Sequence, residues 1–464
     1  MGLLINGIVS DKFGYKKTMF ISLILMLLFT FIPFFAENVE TLVAGGFLQG
    51  IPWGIFQTLT VTYASDICPV VLRAYLTTYV NLCWVIGQLI ATAVLRAMIS
   101  RDDEWAYRIP FGLQWVWPLI ILPFVFIAPE SPWWLVRQGR EEDAKAALYK
   151  LTSTESGVAY NIDAQVAMIR TTNEMERQLA QSTTYLQCFR GIDLRRTEIS
   201  CIVWLTQQYC GSALMGYSVQ FLQRGGLDEE NAINMSIGQY AMGAVGTILS
   251  WFVMGYVGRR KIYIWGIGVM IIVLMGIGCA GIPERLATND LEGPQEENEP
   301  LEDESAAAAS WAIGSLIIVY TFVYDITVGP VCYALVAEIP STRMKIKTVV
   351  LARNLYNLGA IVNNIIMPKM LLPTAWNWGA FTAFFWAGCS ILLFIWCFFR
   401  LPEPMGRTFA ELDVLFENKV SARKFHKTHV DQFGGVSPEQ QSVSAESGLE
   451  KNEKGTVELK ETAT

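Results

Sequence analysis

The chain has 464 residues, of which 52% are hydrophobic and only 17% are charged, and its formal net charge at pH 7 is −7. Soluble domains carry about 25% charged residues, so this composition excludes an ordinary soluble protein of two or three domains. Many of the acidic residues lie in one loop and in the C-terminal tail. No basic stripe is present, which excludes a nucleic-acid-binding protein.

Ten stretches along the chain are long and apolar enough to form membrane-spanning helices, which need about 20 mostly apolar residues. They are Met19–Ala36, Leu42–Ala64, Leu76–Ile99, Gly112–Ala128, Ile199–Leu222, Ser236–Val257, Ile262–Ile282, Ala309–Ala337, Thr348–Leu372 and Trp378–Phe399. Gly2–Ser10 is also apolar, but it is too short to cross a bilayer and resembles the end of a further helix. We therefore predict an all-α polytopic membrane protein that is embedded in the lipid bilayer.

The charges between these spans predict the orientation, because cytoplasmic loops of membrane proteins are rich in lysine and arginine. Lys12, Lys16 and Lys17 place the loop before the first complete span in the cytoplasm. From there, basic loops alternate with loops that are acidic or nearly free of lysine and arginine. The strongly acidic loop at 283–305 falls on the outer side, and the regular alternation supports the ten spans.

Polar segments divide the chain into four predicted parts. A transmembrane bundle at 1–128 precedes a cytoplasmic helical linker at 129–198, and a second transmembrane bundle at 199–400 precedes a cytoplasmic tail at 401–464. The end of the tail is rich in Ser, Glu, Lys and Thr. We therefore expect it to be largely disordered after about residue 417.

Residues that carry metal or enzyme chemistry do not form any pattern in this sequence. The nine cysteines are scattered without a CxxC pair, and both histidines, His426 and His429, lie in the polar tail, so we expect no metal site. We find neither a phosphate-binding glycine loop nor a nucleophile–base arrangement. The sequence therefore predicts no enzyme, no ATP-driven pump and no bound cofactor.

Three motifs occur once in each half of the chain, in the same order. The pairs are GIVSDKFGYKK at 7–17 with GYVGRRK at 255–261, YASDICPVVLR at 63–73 with AEIPSTR at 337–343, and PESP at 129–132 with PEP at 402–404. This order predicts two pseudo-symmetric bundles of six helices, the arrangement of major facilitator transporters. In that arrangement the hairpin at 7–17 joins helices two and three. We therefore expect helix one to be missing from this chain and helix two to be partial.

The sequence resembles the sugar porter family of the major facilitator superfamily over almost its whole length. The matching pieces are the hairpin at 7–17, GQL at 87–89, PESPWWL at 129–135, QQYCG at 207–211, GPVCY at 329–333 and PEPMGRT at 402–408. Two longer stretches, beginning YASDICPVV at 63 and VYDITVGPV at 323, resemble the fungal α-glucoside (maltose) permeases more closely. The resemblance implies a monomeric, multi-pass plasma-membrane protein. It would import an α-glucoside such as maltose with a proton, by alternating access, using the proton gradient as its energy source.

Three other interpretations stay open. A hexose transporter is one, because no sequence feature decides between maltose, other α-glucosides and monosaccharides. A sugar sensor that binds without much flux is another, although a sensor is expected to have a longer, structured tail. The third is a truncated inactive relative, because helix one lines the sugar pathway in the family and its absence predicts poor insertion and little transport.

The resemblance also indicates the side chains that contact the sugar. A sugar presents hydroxyl groups and an apolar ring face, so its site needs amides, hydroxyls and aromatic rings within the membrane helices. The residues that match family positions, or lie beside one, are Gln88, Gln207, Gln208, Tyr217, Tyr333, Asn354 and Asn357. Ala213 stands where the family often has asparagine, and a smaller side chain there suits a second sugar ring. The alternative is that these polar side chains only hold helices together.

Asp325 is a carboxylate in the middle of a predicted span, so it is a candidate for a group that titrates during function. Arg353, in the following span, is the charge that we expect to pair with it. We predict that Asp325 takes up and releases the coupling proton and that Arg353 biases its pKa. The alternative is a static ion pair that joins two helices.

Charged residues at the predicted cytoplasmic helix ends are candidates for a gate. We expect Asp11 to pair across its hairpin and the nearby lysines to meet carboxylates such as Asp66 and Glu130, in bridges that break when the transporter switches. The predicted gating residues are Asp11, Lys12, Lys16, Lys17, Asp66, Arg73, Glu130, Arg259, Arg260, Glu338, Arg343, Glu403 and Arg407. The alternative is that these charges only fix the topology.

Overall fold

The computed structural model describes residues 2–68, 70–152, 161–181, 185–224, 227–289, 304–341, 344–372, 374–407, 409–428, 430–431 and 435–436. These residues fold almost entirely into helices, as the long apolar stretches predict. The long helices pack in two groups, and short polar helices separate the groups along the chain. We call them the first group and the second group.

The first group contains six helices. They are α1 (Gly2–Phe13), α2 (Tyr15–Phe34), α3 (Val39–Ile67), α4 (Val70–Met98), α5 (Trp105–Leu113) and α6 (Val116–Ile127). Helix α2 packs against α3 and α6, and α1 packs against α3. Between them, the side-chain amide of Gln49 donates to the Thr30 hydroxyl at 3.2 Å and to the Gln114 side chain at 3.1 Å. An unpaired amide is costly inside a membrane, so these bonds help to fix the packing of the helices.

Three short helices cover one end of the first group. They are α7 (Pro132–Arg137), α8 (Glu141–Leu151) and α9 (Ile162–Gln181), followed by a 3-10 turn at Tyr185–Phe189. The Ser131 hydroxyl accepts the backbone N–H of Trp134 at 3.3 Å and so caps α7. Apolar side chains of the three helices pack around Tyr15 of α2 and Leu59 of α3. We call this end of the long helices the linker end, and the opposite one the far end.

The second group contains nine helical segments. They are α10 (Gly191–Tyr209), α11 (Ala213–Gly216), α12 (Ser218–Arg224), α13 (Glu229–Tyr256), α14 (Arg259–Asn289), α15 (Glu304–Ile326), α16 (Val328–Glu338), α17 (Lys345–Leu371) and α18 (Thr382–Arg400), with a 3-10 turn at Gly379–Phe381. Two predicted spans are therefore broken, one near Gly211 and one at Thr327. Gly211 has φ 104°, and a side chain there would meet Leu274 and the Tyr320 hydroxyl at 3.1 Å, so this break depends on glycine.

The tail folds back under α10. It forms α19 (Phe409–Glu417), a 3-10 turn at Ala422–Lys427 and an antiparallel pair of short strands, β1 (Val430–Asp431) and β2 (Gly435–Val436). Arg196 of α10 pairs with Asp413 at 2.6 Å and lies 4.3 Å from the ring centre of Phe416. The rings of Phe416 and Phe425 pack with their centres 5.0 Å apart, and Phe425 is fully buried. The packed part of the tail thus extends beyond residue 417, because these aromatic side chains have an apolar site to occupy.

By length and apolarity, seven stretches of the described residues can cross a membrane. They are Tyr15–Phe34, Tyr79–Met98, Trp105–Ile127, Glu229–Tyr256, Arg259–Ile282, Ala308–Glu338 and Gly379–Arg400. The other three predicted spans correspond to α3, to α10 with α12, and to α17. These three do not meet the same criteria of length and apolarity. Each of them carries a buried amide side chain, namely Gln49, Gln207 or Asn363.

Candidate functional site

Gln207 of α10 holds the break between α15 and α16. It is 4% exposed, and its side-chain nitrogen donates to the carbonyl of Gly329 at 2.8 Å. Gly329 lies in the first turn of α16, so this bond ties α10 to the helix that begins after the break. One amide hydrogen of this predicted ligand-binding residue is thus engaged by the protein itself.

Gln208, the next residue of α10, contacts α17. The side-chain nitrogen of Asn363 donates to the Gln208 backbone carbonyl at 2.7 Å and to its side-chain oxygen at 3.3 Å. The two helices approach closely at Gly359, where a Cβ would lie 3.1 Å from Leu205 and 3.2 Å from Tyr209. Asn363 was not among the predicted residues, although it lies on the face of α17 that carries Gly359, four residues earlier.

Aromatic rings from three helices meet one helical turn before Gln207 and Gln208 along α10. The ring centre of Trp204 on α10 lies 5.0 Å from that of Tyr333 on α16 and 5.3 Å from that of Tyr356 on α17, both in edge-on geometry. We call these three residues the aromatic cluster. Tyr333 was predicted for the site, whereas Trp204 and Tyr356 were not. Their signal in the sequence was spacing, since Trp204 precedes Gln207 and Gln208 by three and four residues.

Among the described residues, the remaining predicted binding residues form neither a hydrogen bond nor a ring contact with this cluster. Tyr217 is half-buried at the joint between α11 and α12, and Asn354 and Asn357 are half-buried on α17. Gln88 is exposed on α4, and its backbone carbonyl accepts the Thr92 hydroxyl at 2.8 Å. These four side chains therefore have polar atoms available for a ligand.

Asp325 lies at the boundary between the two groups of helices. It is 3% exposed, and its Oδ1 accepts a hydrogen bond from Nδ2 of Asn81, on α4, at 3.0 Å. The same nitrogen lies 3.1 Å from the Thr247 hydroxyl of α13. A Cβ at Gly243 of α13 would stand 2.5 Å from Oδ2 of Asp325, so the absence of a side chain there makes room for the carboxylate.

The predicted pair of Asp325 and Arg353 does not form. The Arg353 guanidinium carbon lies 4.4 Å from the ring centre of Trp204 and 4.5 Å from that of Tyr356. The physical reason is the order of the helices: α17 packs against α10, whereas α15 packs against α13 and α14. Arg353 is therefore part of the aromatic cluster, where cation–π contact replaces the expected carboxylate.

Two glutamates, one in each half, cap helices at the linker end. Glu130 accepts the backbone N–H of Tyr15 at 3.0 Å and that of Lys16 at 3.2 Å, at the start of α2. Glu403 accepts the backbone N–H of Arg260 at 3.0 Å, at the start of α14. Free N–H groups and the helix dipole favour a carboxylate at such a position. The two repeated motifs thus perform the same task in both halves.

The lysines of the first hairpin do not meet Asp66 or Glu130 through their ammonium groups, contrary to expectation. Lys16 contacts Glu130 through its backbone, and its ammonium donates to the Phe126 carbonyl at 2.7 Å. Lys12 lies 5.6 Å from the ring centre of its neighbour Phe13, and Lys17 is exposed. The backbone N–H groups at the start of α2 already bind the Glu130 carboxylate, so the lysine ammonium groups contact other atoms.

Asp66 and Asp11 also contact other groups than those predicted. Asp66 accepts the Ser131 hydroxyl at 2.7 Å, which joins α3 to the start of α7. At Asp11 it is the backbone carbonyl that crosses the junction, accepting the indole N–H of Trp134 at 3.0 Å. The short linker helices, rather than the lysines, therefore bind the hairpin.

In the second half the structure describes one of the predicted ion pairs. Arg259 lies 3.3 Å from Glu338, which joins α14 to the end of α16. Arg260 instead donates to the carbonyls of Leu401 at 2.7 Å and Phe398 at 2.8 Å.

Of the other arginines predicted for the gate, Arg407 has a described side chain, and it contacts the tail. Arg407 donates to the Thr428 carbonyl at 2.7 Å and so holds the tail. The side chain of Arg73 and the whole of Arg343 lie outside the described residues.

An ion pair that the sequence did not predict lies at the far end. Arg96, near the end of α4, pairs with Glu230 at the start of α13, and its Nε donates to Asn234 at 3.1 Å. It joins the first group to the second. Glu230 follows a loop that the sequence assigned to the outer side, but nothing in the sequence indicated that α4 and α13 are neighbours.

Together these groups form an interior suited to a polar, uncharged ligand. The aromatic cluster offers ring surfaces, and Gln207, Gln208 and the half-buried asparagines offer atoms that donate and accept hydrogen bonds. Breaks in α10–α12 and α15–α16 bring backbone groups into the same region, as broken helices do in transporters.

Comparison with known proteins agrees with this description. The model of the family described as "Sugar (and other) transporter" matches residues 1–416. A general alpha-glucoside permease of Saccharomyces cerevisiae is 37% identical over 451 residues, which cover 96% of this chain and 70% of the permease. A maltose permease of the same yeast is 36% identical over 465 residues, covering 99% of this chain and 72% of that protein.

A solved structure shares the fold. It is the major facilitator superfamily proton:xylose symporter XylE bound to 6-bromo-6-deoxy-D-glucose, with a TM-score of 0.69 and 19% identity, covering 89% of this chain and 86% of XylE. The inward open conformation of XylE from E. coli matches with a TM-score of 0.66. The fold is thus the major facilitator fold of a multi-pass membrane protein. With the family match over most of its length, this chain belongs to the sugar transporter family and is a transporter, not an enzyme.

Proposed function

We propose that this protein imports an α-glucoside such as maltose together with a proton, by alternating access across the plasma membrane. It acts as a monomer and draws on the proton gradient rather than on a bound cofactor. The observation that carries the proposal is the aromatic cluster beside Gln207 and Gln208, in a chain similar to permeases that are named for α-glucosides and maltose.

The contacts at the aromatic cluster support a sugar as the ligand. Tyr333 and Tyr356 are half-buried and offer ring surface that suits the apolar face of a pyranose, while the buried Trp204 packs against both. Arg353 lies over the rings of Trp204 and Tyr356, and its Nη1 is buried without a hydrogen-bond partner in the described part of the chain. Buried N–H groups are nearly always paired, so we assign this donor to a sugar hydroxyl.

Asp325 is the group that we assign to the proton. Its carboxylate is buried at the boundary between the two groups of helices, where opening and closing change its access to water. Among the described residues, its hydrogen-bond donor is the neutral Asn81 rather than a cation. A carboxylate that is not locked in an ion pair is free to be neutralised by a proton.

The charged contacts at the two ends suit a pair of gates. The linker end faces the cytoplasm in the orientation predicted from loop charge. There Arg259 and Glu338 join α14 to α16. At the far end, which then faces outward, Arg96 and Glu230 join α4 to α13. Alternating access requires that the outer contact breaks when the outer side opens.

The test of coupling is uptake of labelled maltose in cells that lack their own carriers, with and without a protonophore. We expect accumulation above the outside concentration and its loss with the protonophore. Asp325→Asn should abolish accumulation while exchange of labelled for unlabelled maltose persists. Asp228→Asn, an exposed aspartate that caps α13, is the matched control and should retain accumulation. Accumulation that persists in Asp325→Asn would assign this residue a purely structural role.

The test of the substrate is competition. Unlabelled maltose should inhibit uptake of the label at concentrations at which glucose does not. Trp204→Ala should raise KM by about tenfold or more, as expected from the loss of the ring that supports Tyr333, Tyr356 and Arg353. Equal inhibition by glucose would favour the hexose transporter instead. A fluorescent fusion of the full chain, imaged at the cell border, tests the plasma-membrane location.

A further inference from the structure

Helices α4 and α13 form an antiparallel seam between the two groups. Asn81 meets Thr247 at 3.1 Å, and the methyl group of Val85 would lie 3.2 Å from a Cβ at Gly243. At the far end Arg96 meets Glu230 and Asn234. Residue numbers rise along α4 while those of their partners on α13 fall by similar amounts. The two helices therefore keep one antiparallel register from Asn81 to the far end.

Asn81 is the residue that connects this seam to Asp325. It is 7% exposed, and its single side-chain nitrogen donates both to Thr247 of α13 and to Asp325 of α15. It belongs to the first group, whereas both of its partners belong to the second. A change in the hydrogen bond between Asn81 and Asp325 therefore directly alters the contact between the two groups.

The surroundings of Asp325 offer few other ways to respond to its charge. The ionisable groups close enough to interact with it are Tyr240 on α13 and Tyr320 and Tyr324 on its own helix. None of the other elements packed against α15 contributes a charged group there among the described residues. The charge-dependent contact at Asp325 is thus the hydrogen bond from Asn81.

We infer that Asn81 is a positioning residue that links the proton on Asp325 to the closure of the α4–α13 seam, an inference that rests on the proposed role of Asp325. An amide donates a stronger hydrogen bond to a carboxylate than to a neutral carboxylic acid. The ionised Asp325 therefore holds Asn81 and closes the seam. A proton bound at its Oδ atoms weakens that bond, and the seam loosens toward the far end.

The experiment measures the seam itself and does not depend on transport. Spin labels at Ser100→Cys and Glu229→Cys, in a background without accessible native cysteines, report the distance between the far ends of α4 and α13 in liposomes from pH 4 to pH 9 (about 0.5 unit per step, fine enough to resolve a one-unit shift). In the otherwise unchanged protein we expect longer distances at lower pH. Asn81→Leu should move the midpoint to higher pH by about one unit or remove the transition, because a donor to a carboxylate favours its ionised form.

Two matched variants separate the bond to Asp325 from general packing of the seam. Thr247→Val removes the other partner of Asn81 but keeps its bond to Asp325, so the midpoint should move by less than about 0.3 unit. Asn81→Gln keeps an amide donor and should restore part of the response, and it also serves if Asn81→Leu does not fold. Each variant is accepted only if it elutes as a single species in detergent.

The outcomes distinguish this inference from the proposed function. An unchanged midpoint in both Asn81 variants, with the response lost in Asp325→Asn, overturns the role of Asn81 and leaves proton coupling at Asp325 intact. A response that survives in Asp325→Asn, or no response to pH in the unchanged protein, also overturns the inference. A response that depends on Asn81, in a protein that fails to accumulate maltose, supports the inference while refuting proton-coupled import.

Discussion

The starts of α2 and α14 have the same capping arrangement, and a comparison of the two shows which parts of the repeated motif matter for structure. In each, a glutamate from a later motif caps the first N–H groups of a long helix: Glu130 caps α2 and Glu403 caps α14. In each, a glycine precedes the helix, and a Cβ on Gly14 or Gly258 would overlap the carboxylate. The cap and the glycine are therefore the common core of the motif.

The surroundings of the two caps differ. Gly14 has φ 91°, whereas the backbone at Gly258 does not lie in that strained region. Each helix start also has a second anchor. At α2 the Lys16 ammonium donates one hydrogen bond to the Phe126 carbonyl at the end of α6, whereas at α14 the Arg260 guanidinium donates two, to carbonyls at the end of α18. We conclude that the first half depends more on its cap than the second half does.

The largest effect should come from Gly14→Ala. The new Cβ would stand 2.5 Å from a carboxylate oxygen of Glu130 and would also be forced into a backbone conformation that only glycine adopts readily. We expect a loss of about 3 kcal/mol or more, from strain and from displacement of the cap. The measurement is thermal unfolding of the purified protein in one detergent.

Gly258→Ala is the matched variant in the other half. It brings an even closer overlap with a carboxylate, here that of Glu403, but no strained φ. Its unfolding temperature should fall by less than that of Gly14→Ala. Equal losses would mean that the overlap alone decides the cost and that the backbone difference between the halves is irrelevant.

The next largest effects are expected from substitution of the two capping glutamates, Glu130 and Glu403. Glu130→Ala leaves the N–H groups of Tyr15 and Lys16 without their acceptor, and we expect a loss of about 2 kcal/mol. Glu403→Ala should cost less, about 1 kcal/mol, because two Arg260 hydrogen bonds still tie α14 to α18, whereas a single Lys16 bond ties α2 to α6. Glutamine at either position keeps an acceptor and should recover part of the loss. A larger loss in Glu403→Ala than in Glu130→Ala would contradict our ranking of the two halves.

The repeat could be predicted from the sequence, but the partners within it could not. Hydropathy located the long helices, and the paired motifs predicted which residues gather at the linker end. Hydropathy does not mark a break such as that at Thr327, since the residues on both sides are equally apolar. Charge suggested that the lysines meet Glu130, whereas the unpaired backbone N–H groups of a helix start are the nearer and better donors.

The interior site was predictable to a similar extent. Family positions indicated Gln207, Gln208 and Tyr333, which the structure places around the broken helices. The pair of Asp325 and Arg353 was wrong, because only the packing order of the helices shows that α15 and α17 do not face each other. Asn81 gave no signal, since one amide in an apolar stretch does not reveal which helix it meets.

A smaller effect is expected from the ion pair between Arg259 and Glu338 in the second half. Arg259→Gln removes the contact with Glu338, and both side chains are partly exposed, so the free energy of unfolding should fall by about 1 kcal/mol or less. The initial rate of maltose uptake is the more sensitive measurement, because a gate contact is made in one state and broken in the other. The change in rate should be greater than for Arg140→Gln, whose pair with Asp143 lies within the linker helices. Equal changes in rate would assign the Arg259 pair a structural role only.

The smallest effect is expected from Lys12 and Lys17 of the first hairpin, which the sequence predicted to be gating residues. Lys12 contacts only the ring of Phe13 among its described contacts, and Lys17 is exposed, so Lys12→Gln with Lys17→Gln should change the free energy of unfolding by less than about 0.5 kcal/mol. Their charge still counts for orientation during insertion. We therefore expect normal stability of the inserted protein but a larger fraction inserted the wrong way round, measured by protease access to the tail. A loss of stability equal to that of Glu130→Ala would show that these lysines take part in the cap, and that the two halves differ less than their contacts indicate.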